Sequence, residues 1–155
     1  IYEKGIKVIT VRIERPLPTA KTIDYTPAIL ALAQARARNA MEALYVDREG
    51  HLLEGTQSNF FGFEGDRLIT PHDAILEGIT RRVVMELARA QFELVERALP
   101  LTELAQLDEA FIASTSKEVM PVVQVDETTI GSGKPGPRTL LLHRLFREHA
   151  EQSAR

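Results

Sequence analysis

Four short stretches of this chain bring together residue types that can do chemistry. Lys21 stands in an extended run, Ala20-Lys21-Thr22-Ile23-Asp24-Tyr25, ahead of a helix start. Most lysines are solvated surface charges; as a catalyst this one would form a Schiff base, which needs a partly desolvated, unprotonated amine. Glu54-Gly55-Thr56-Gln57-Ser58-Asn59 puts a carboxylate at a strand end, followed by small and polar residues. That is a wide turn, or an acceptor aimed at a ligand cation such as a protonated ring nitrogen. Gly78-Ile79-Thr80-Arg81 is an ordinary capped helix start, or a set of free N–H groups for a phosphate, with Arg81 and Arg82 adding positive potential. Ser114-Thr115-Ser116, between two strands, is a polar turn or an anion nest of hydroxyls and backbone N–H groups. Taken one at a time, the bland reading is favoured at each.

The elements that must position these residues follow from the pattern. Lys4-Gly5 opens a strand of about eight residues, and Arg15-Pro16-Leu17-Pro18-Thr19 cannot continue in a sheet. Thr26-Pro27 predicts a capped helix start. Leu30, Ala33, Ala37, Met41 and Leu44 are its expected apolar stripe, with Arg36 and Arg38 off it. The period then turns to alternation. Residues 44–47 and 52–54 flank Arg48-Glu49-Gly50, and Asn59–Glu64 and Arg67–Thr70 flank Gly65-Asp66, which predicts two hairpins. Thr80 is expected to cap a helix over 81–91, with Ile79 and Val84 spaced as a hydrophobic staple. A short strand over 93–98 and a brief helix capped by Thr102 come next. Strands over 110–114 and 119–125 then precede a Gly- and Pro-rich loop. The closing helix should bury Leu141, Leu142, Leu145, Phe146 and His149. The whole predicts one α+β domain over residues 1–155, built of short antiparallel hairpins with flanking helices.

Composition bounds the function. An apolar fraction of 44% and a charged fraction of 26% are ordinary for a globular chain. A net charge of -3 offers no basic footprint for nucleic acid. No long uninterrupted apolar run predicts a membrane-spanning helix. The lack of cysteine excludes disulfides and thiolate metal sites and fits a reducing cytoplasm. The histidines, His51, His72, His143 and His149, show no ligand spacing, so no metal site is expected. Residues 1–13 enter at once as a strand, with no part of a signal peptide. True N-termini are usually frayed and polar, so the chain is expected to begin inside a longer one.

In their order and spacing the four stretches resemble the class IV aminotransferases. This is the fold-type IV family of pyridoxal-phosphate enzymes that includes branched-chain and D-amino-acid aminotransferases. The family carries a lysine with Asn-Tyr a few residues on, then EGxxSN, then Thr-Pro leading into GITR, then a serine-threonine turn before a PV strand. Here these stand as Lys21 to Asp24-Tyr25, Glu54 to Asn59, Thr70-Pro71 through Leu76-Glu77-Gly78-Ile79-Thr80-Arg81, and Ser114-Thr115-Ser116 before Pro121-Val122. The likeness covers nearly the whole chain, and the combination reverses each bland reading. It implies the C-terminal, cofactor-binding domain of the D-amino-acid aminotransferase-like fold. It also implies pyridoxal 5′-phosphate and transamination between an amino acid of branched-chain or D type and a 2-oxo acid. By resemblance, Lys21 bonds to the cofactor and shuttles the proton, while Glu54 pairs with the pyridine nitrogen. Tyr25 lies near the phenolic oxygen and Leu76 packs on the ring face. Ile79 and Thr80 hold the phosphate; Thr115, flanked by Ser114 and Ser116, adds phosphate contacts and lines the substrate side. Asp24 stands where the family often has Asn. The resemblance implies a smaller preceding N-terminal domain that would supply a phosphate-binding arginine and substrate-selecting residues, and the given residues are expected not to include it. An aminodeoxychorismate lyase, similar in the same motifs, and a non-catalytic cofactor-binding or dimer-forming fragment remain open. The resemblance further implies a cytoplasmic homodimer.

Overall fold

Proline and a short polar turn decide where the first helix begins. The computed structural model describes residues 1–153. In it, strand β1 (Ile6–Arg12) gives out before the proline-bearing stretch 16–18, and helix α1 (Thr26–Ala37) starts with Pro27 in its first turn. Thr26 is not the cap expected from its type. Asp24 Oδ1 accepts the Thr26 N–H at 3.1 Å, and Tyr25 holds the cap position. The buried face is also rotated from the expected stripe: Ala28, Ala31 and Ala35 turn inward, while Leu30 is 60% exposed. Small residues face the sheet because Ile9, Val11, Tyr45 and Leu53 already fill the space beneath the helix.

The helix is the crossover that a parallel pair requires. It carries the chain from β1 to β2 (Glu42–Val46), which lies parallel to it with Ile9 opposite Ala43 and Val11 opposite Tyr45. A tight turn then leads to β3 (His51–Gly55), with Asp47 Oδ1 accepting the N–H groups of Glu49 and His51 at 2.9 and 2.8 Å and Gly50 at a φ of 87°. Strands β4 (Asn59–Glu64) and β5 (Arg67–Thr70) form the second predicted hairpin. Helix α2 (Ile79–Arg89) precedes β6 (Glu93–Glu96), β7 (Leu99–Pro100) and a 3₁₀ turn, Leu101–Gln106, that Thr102 does not cap. Strands β8 (Glu109–Ser114), β9 (Glu118–Val125) and β10 (Thr128–Thr129) lead to helix α3 (Pro137–Ser153). Among the described residues no helix is long and apolar enough to cross a membrane.

Among the described residues all the strands join one ten-stranded sheet in the order β6-β5-β4-β8-β9-β1-β2-β3-β7, with β10 beside β9. A further contact between β3 and β4 closes the central strands into a ring. The sheet is mixed rather than purely hairpin-built, since β1 runs parallel to β2 and β9, and β5 to β6. Successive side chains of a strand point to opposite faces, and here both faces are covered. Val8, Leu44, Leu52, Phe60, Ile112 and Val122 fill the ring. Ile9, Ala43 and Leu53 meet α1, while Phe61, Phe63 and Phe111 lie under α2 and α3. Of the stripe expected on α3, only Leu142 is fully buried; Leu141, Leu145, Phe146 and His149 are half-buried, because the helix rides on the outside of the sheet.

The start of α3 is fixed by a buried acid. Glu109 Oε2 accepts the Thr139 N–H at 2.8 Å, and Oε1 accepts Arg138 N–H and Nε at 3.2 and 2.9 Å. A Cβ on Gly136 would stand 2.0 Å from Glu109 Cδ. Gly136→Ala therefore displaces the capping carboxylate, and a loss of about 1–3 kcal/mol is expected in urea unfolding. An unchanged midpoint would mean that the cap tolerates the shift.

Candidate functional site

The ring closes at Glu54, which pairs with Asn59 across β3 and β4. The loop between them is tight: Gly55 N–H donates to Ser58 O at 2.7 Å, and a Cβ on Gly55 would stand 2.2 Å from Ser58 Oγ. Glu54 is 5% exposed. Its Oε2 accepts the Leu76 N–H at 3.0 Å and the Asn59 amide at 3.4 Å, and the same amide donates to Leu76 O at 2.8 Å. Its Oε1 faces Arg15, with Nε at 3.0 Å and Nη2 at 2.8 Å. Burial pushes the carboxyl above the usual carboxylate range, and the Leu76 N–H and Arg15 draw it part of the way back.

Helix α2 begins against this loop. A Cβ on Gly78, the cap residue, would stand 2.7 Å from Asn59 Oδ1, so only glycine lets the helix start sit there unshifted. Thr80 lies inside the first turn rather than at the cap expected for it, and its side chain makes no capping bond. Its Oγ1 instead lies 3.5 Å from Thr115 Oγ1. The N–H groups of Ile79 and Thr80 find no acceptor among the described residues. Ile79 is 72% exposed, so the staple to buried Val84 is not formed. Arg81 is buried, with Nη2 on Glu96 at 3.1 Å and Pro71 O at 3.0 Å; its charge docks α2 on β6 instead of adding to the helix start.

On the β8–β9 turn, Ser114 Oγ accepts the Lys117 N–H at 3.2 Å, while Thr115 and Ser116 are exposed. Lys117 Nζ reaches Glu42 Oε2 at 3.2 Å. Glu42 is fully buried and also accepts the hydroxyls of Thr56 and Ser58, so it ties this turn to the loop after Glu54. Lys21 and Tyr25 are both exposed, and neither side chain makes a hydrogen bond or ion pair among the described residues. The segment before Lys21 is held nevertheless: Arg15 Nη1 donates to Ala20 O at 3.2 Å, and Nη2 donates to Pro18 O.

Glu54 and Leu76 are thus in contact, as are Thr80 and Thr115, and the two pairs are joined through Asn59 and Gly78. Sequence reasoning assigned nothing to Arg15, Asn59 or Glu42. For Glu42 a signal existed, an acid at the head of the apolar run 43–46; for Arg15 no spacing rule pointed to Glu54. A cleft of about 370 Å³ lies nearby, but it shares only Arg15 with these residues and is otherwise lined by Glu14, Pro18, Leu53, Ala74 and the β2–β3 turn. Chemically, the arrangement offers a buried anion for a cation and a helix start with hydroxyls for an anion.

Residues 2–125 match the family described as amino-transferase class IV, and the chain belongs to that family. Its relatives carry two specificities in their names. A putative branched-chain-amino-acid aminotransferase of Methanocaldococcus jannaschii is 37% identical over 94% of this chain and 54% of its own length. A D-alanine aminotransferase of Bacillus licheniformis is 36% identical over 88% of this chain and 50% of its own. The solved T.th. branched-chain amino acid aminotransferase with pyridoxamine 5′-phosphate superposes with a TM-score of 0.89 at 32% identity, over 96% of this chain and 51% of that one. The expected fold is therefore the observed one. The chain spans about half the length of the relatives it matches.

Proposed function

We propose that residues 1–155 form the larger, cofactor-holding domain of an enzyme that transaminates between an amino acid and a 2-oxo acid, with pyridoxal 5′-phosphate as cofactor. The observation that carries this reading is the joining of the buried acid Glu54 to the Thr80–Thr115 anion cup through one continuous contact, Asn59 to Gly78. The donor set fits the group. A buried carboxylate suits a ring N–H, and a helix N-terminus with hydroxyls suits a phosphate.

When bound, the cofactor supplies a protonated ring that withdraws electrons from the amino acid Cα. Glu54 accepts the ring N–H and keeps its proton in place. Leu76 would cover one ring face, and Tyr25 would serve the phenolic oxygen. The N–H groups of Ile79 and Thr80, with the hydroxyls of Thr80 and Thr115, bind the phosphate, with Ser114 shaping the turn and Ser116 beside it. Lys21 would bond to the cofactor through its amine with loss of water; the amine of the incoming amino acid would displace it, and the freed Lys21 amine would take the proton from Cα and return it elsewhere on the reacting pair. Thr115 also lines the substrate side. The substrates in this reading are amino acids of branched-chain or D type, and the active form is a cytoplasmic homodimer.

Borohydride reduction of the protein after incubation with pyridoxal phosphate tests the assignment by peptide mapping. The label is expected on Lys21. Label on any other lysine, Lys117 above all, overturns it.

A further inference from the structure

Arg15 lies outside every motif, yet it joins two parts of the proposed site. Its Nε and Nη2 meet Glu54 Oε1, its Nη1 donates to Ala20 O, and its Nη2 donates to Pro18 O. A guanidinium holds its donors in a rigid planar fork. Fixing one edge on the carboxylate therefore fixes the backbone one residue before Lys21. The other partners of Glu54, the Leu76 N–H and the Asn59 amide, reach only Oε2 and place no constraint on that segment.

We infer that Arg15 is a positioning residue for the reaction proposed above: it keeps Glu54 ionised in its buried place and ties the Lys21 segment to it. The inference rests on that functional reading for its purpose, while its two physical claims stand on this geometry. A carboxylate as buried as Glu54 is driven to neutralise unless a cation and hydrogen bonds hold its charge. A neutral acid already carries the proton that the ring nitrogen should keep. Two titratable groups bear on this arrangement. Arg15 comes from the segment after β1, and Tyr45 comes from β2; the Tyr45 phenol is itself raised chiefly by burial. Lysine in place of Arg15 would restore a charge but not the fork, since an ammonium cannot hold the acid and two separate carbonyls in one plane.

The test follows the Glu54 side-chain carboxyl by NMR through a pH titration of the protein without cofactor, together with hydrogen exchange at Ala20, whose N–H donates to Leu17 O in the segment that Arg15 holds. Arg15→Met is expected to raise the Glu54 titration by about 1–3 pH units and to speed exchange in that segment. Arg15→Lys should recover most of the titration while the segment still exchanges fast. If Arg15→Met does not fold, Arg15→Gln carries the charge test. A Glu54 titration unmoved by loss of the cation overturns the inference, as does exchange that stays slow in Arg15→Lys. A shifted titration supports it even where Lys21 takes no label, a result that would count against the cofactor reading alone.

Discussion

Under the proposed function, Lys21→Ala should cut transamination by about 10³-fold or more and leave the fold as stable as before. The side chain is exposed, lies in an irregular segment and makes no hydrogen bond or ion pair among the described residues. Substitutions at such places usually stay within about 0.5 kcal/mol of the original stability. Its proposed work is chemical. General acid–base transfer alone is worth roughly 10²–10⁴-fold, and the loss of the covalent anchor comes on top of that. Turnover, read as keto acid formed from an amino acid donor, should therefore fall by about 10³-fold or more at an unchanged unfolding midpoint. Lys117 provides the contrast. It pairs with Glu42, which has no solvent exposure, so Lys117→Ala leaves that acid only its hydroxyl and N–H donors and should cost about 1–3 kcal/mol of stability. If Lys21→Ala keeps its turnover, the amine that does the chemistry is elsewhere.

Much of this was legible in the sequence, and the parts that were not share a cause. The hairpin β4–β5 was read to its boundaries because its signals are local: Gly65-Asp66 at the turn and Pro71 beyond the strand. The parallel pairing of β1 with β2 and β9 was not read. Val8 faces the ring and Ile9 faces α1, so both faces are apolar and no alternation reports which neighbour lies alongside. Helix α1 begins where Thr26-Pro27 predicts, but its expected stripe runs on through Met41 and Leu44, whereas the helix ends at Ala37, Leu44 lies in β2, and another face is buried. Periodicity favours the large Leu30, whereas close approach to the sheet selects Ala28, Ala31 and Ala35. At the site, the motif residues Glu54, Leu76, Thr80 and Thr115 were named from sequence, and the structure brings them into one connected set. Arg15 was missed because its partners lie both within its own loop and on β3, a combination no fixed spacing encodes.

Glu54→Gln separates what a buried acid does for the reaction from what it costs the fold. A hydrogen bond to a charged group contributes about 1.5–3 kcal/mol net. If the amide forfeits that amount at the transition state, turnover should fall roughly 10- to 150-fold. Cofactor affinity should fall less, because the phosphate contacts proposed at Thr80 and Thr115 would be untouched. Stability should move the other way. The folded-state pKa of Glu54 is raised, with burial the main cause. A group of this kind contributes stability that is fully present below its unfolded pKa and is lost as pH rises through the folded value. At neutral pH the native chain therefore carries an ionised group that burial disfavours, and glutamine does not. Arg15 loses its anion in the variant, but its side chain is 22% exposed and can turn to water. The variant should thus unfold at the same or a higher denaturant concentration than the wild type at neutral pH, with that advantage shrinking in acid. A variant with full turnover would reduce Glu54 to the residue that ends β3. One markedly less stable at neutral pH would mean that the Arg15 pair outweighs the burial of the charge.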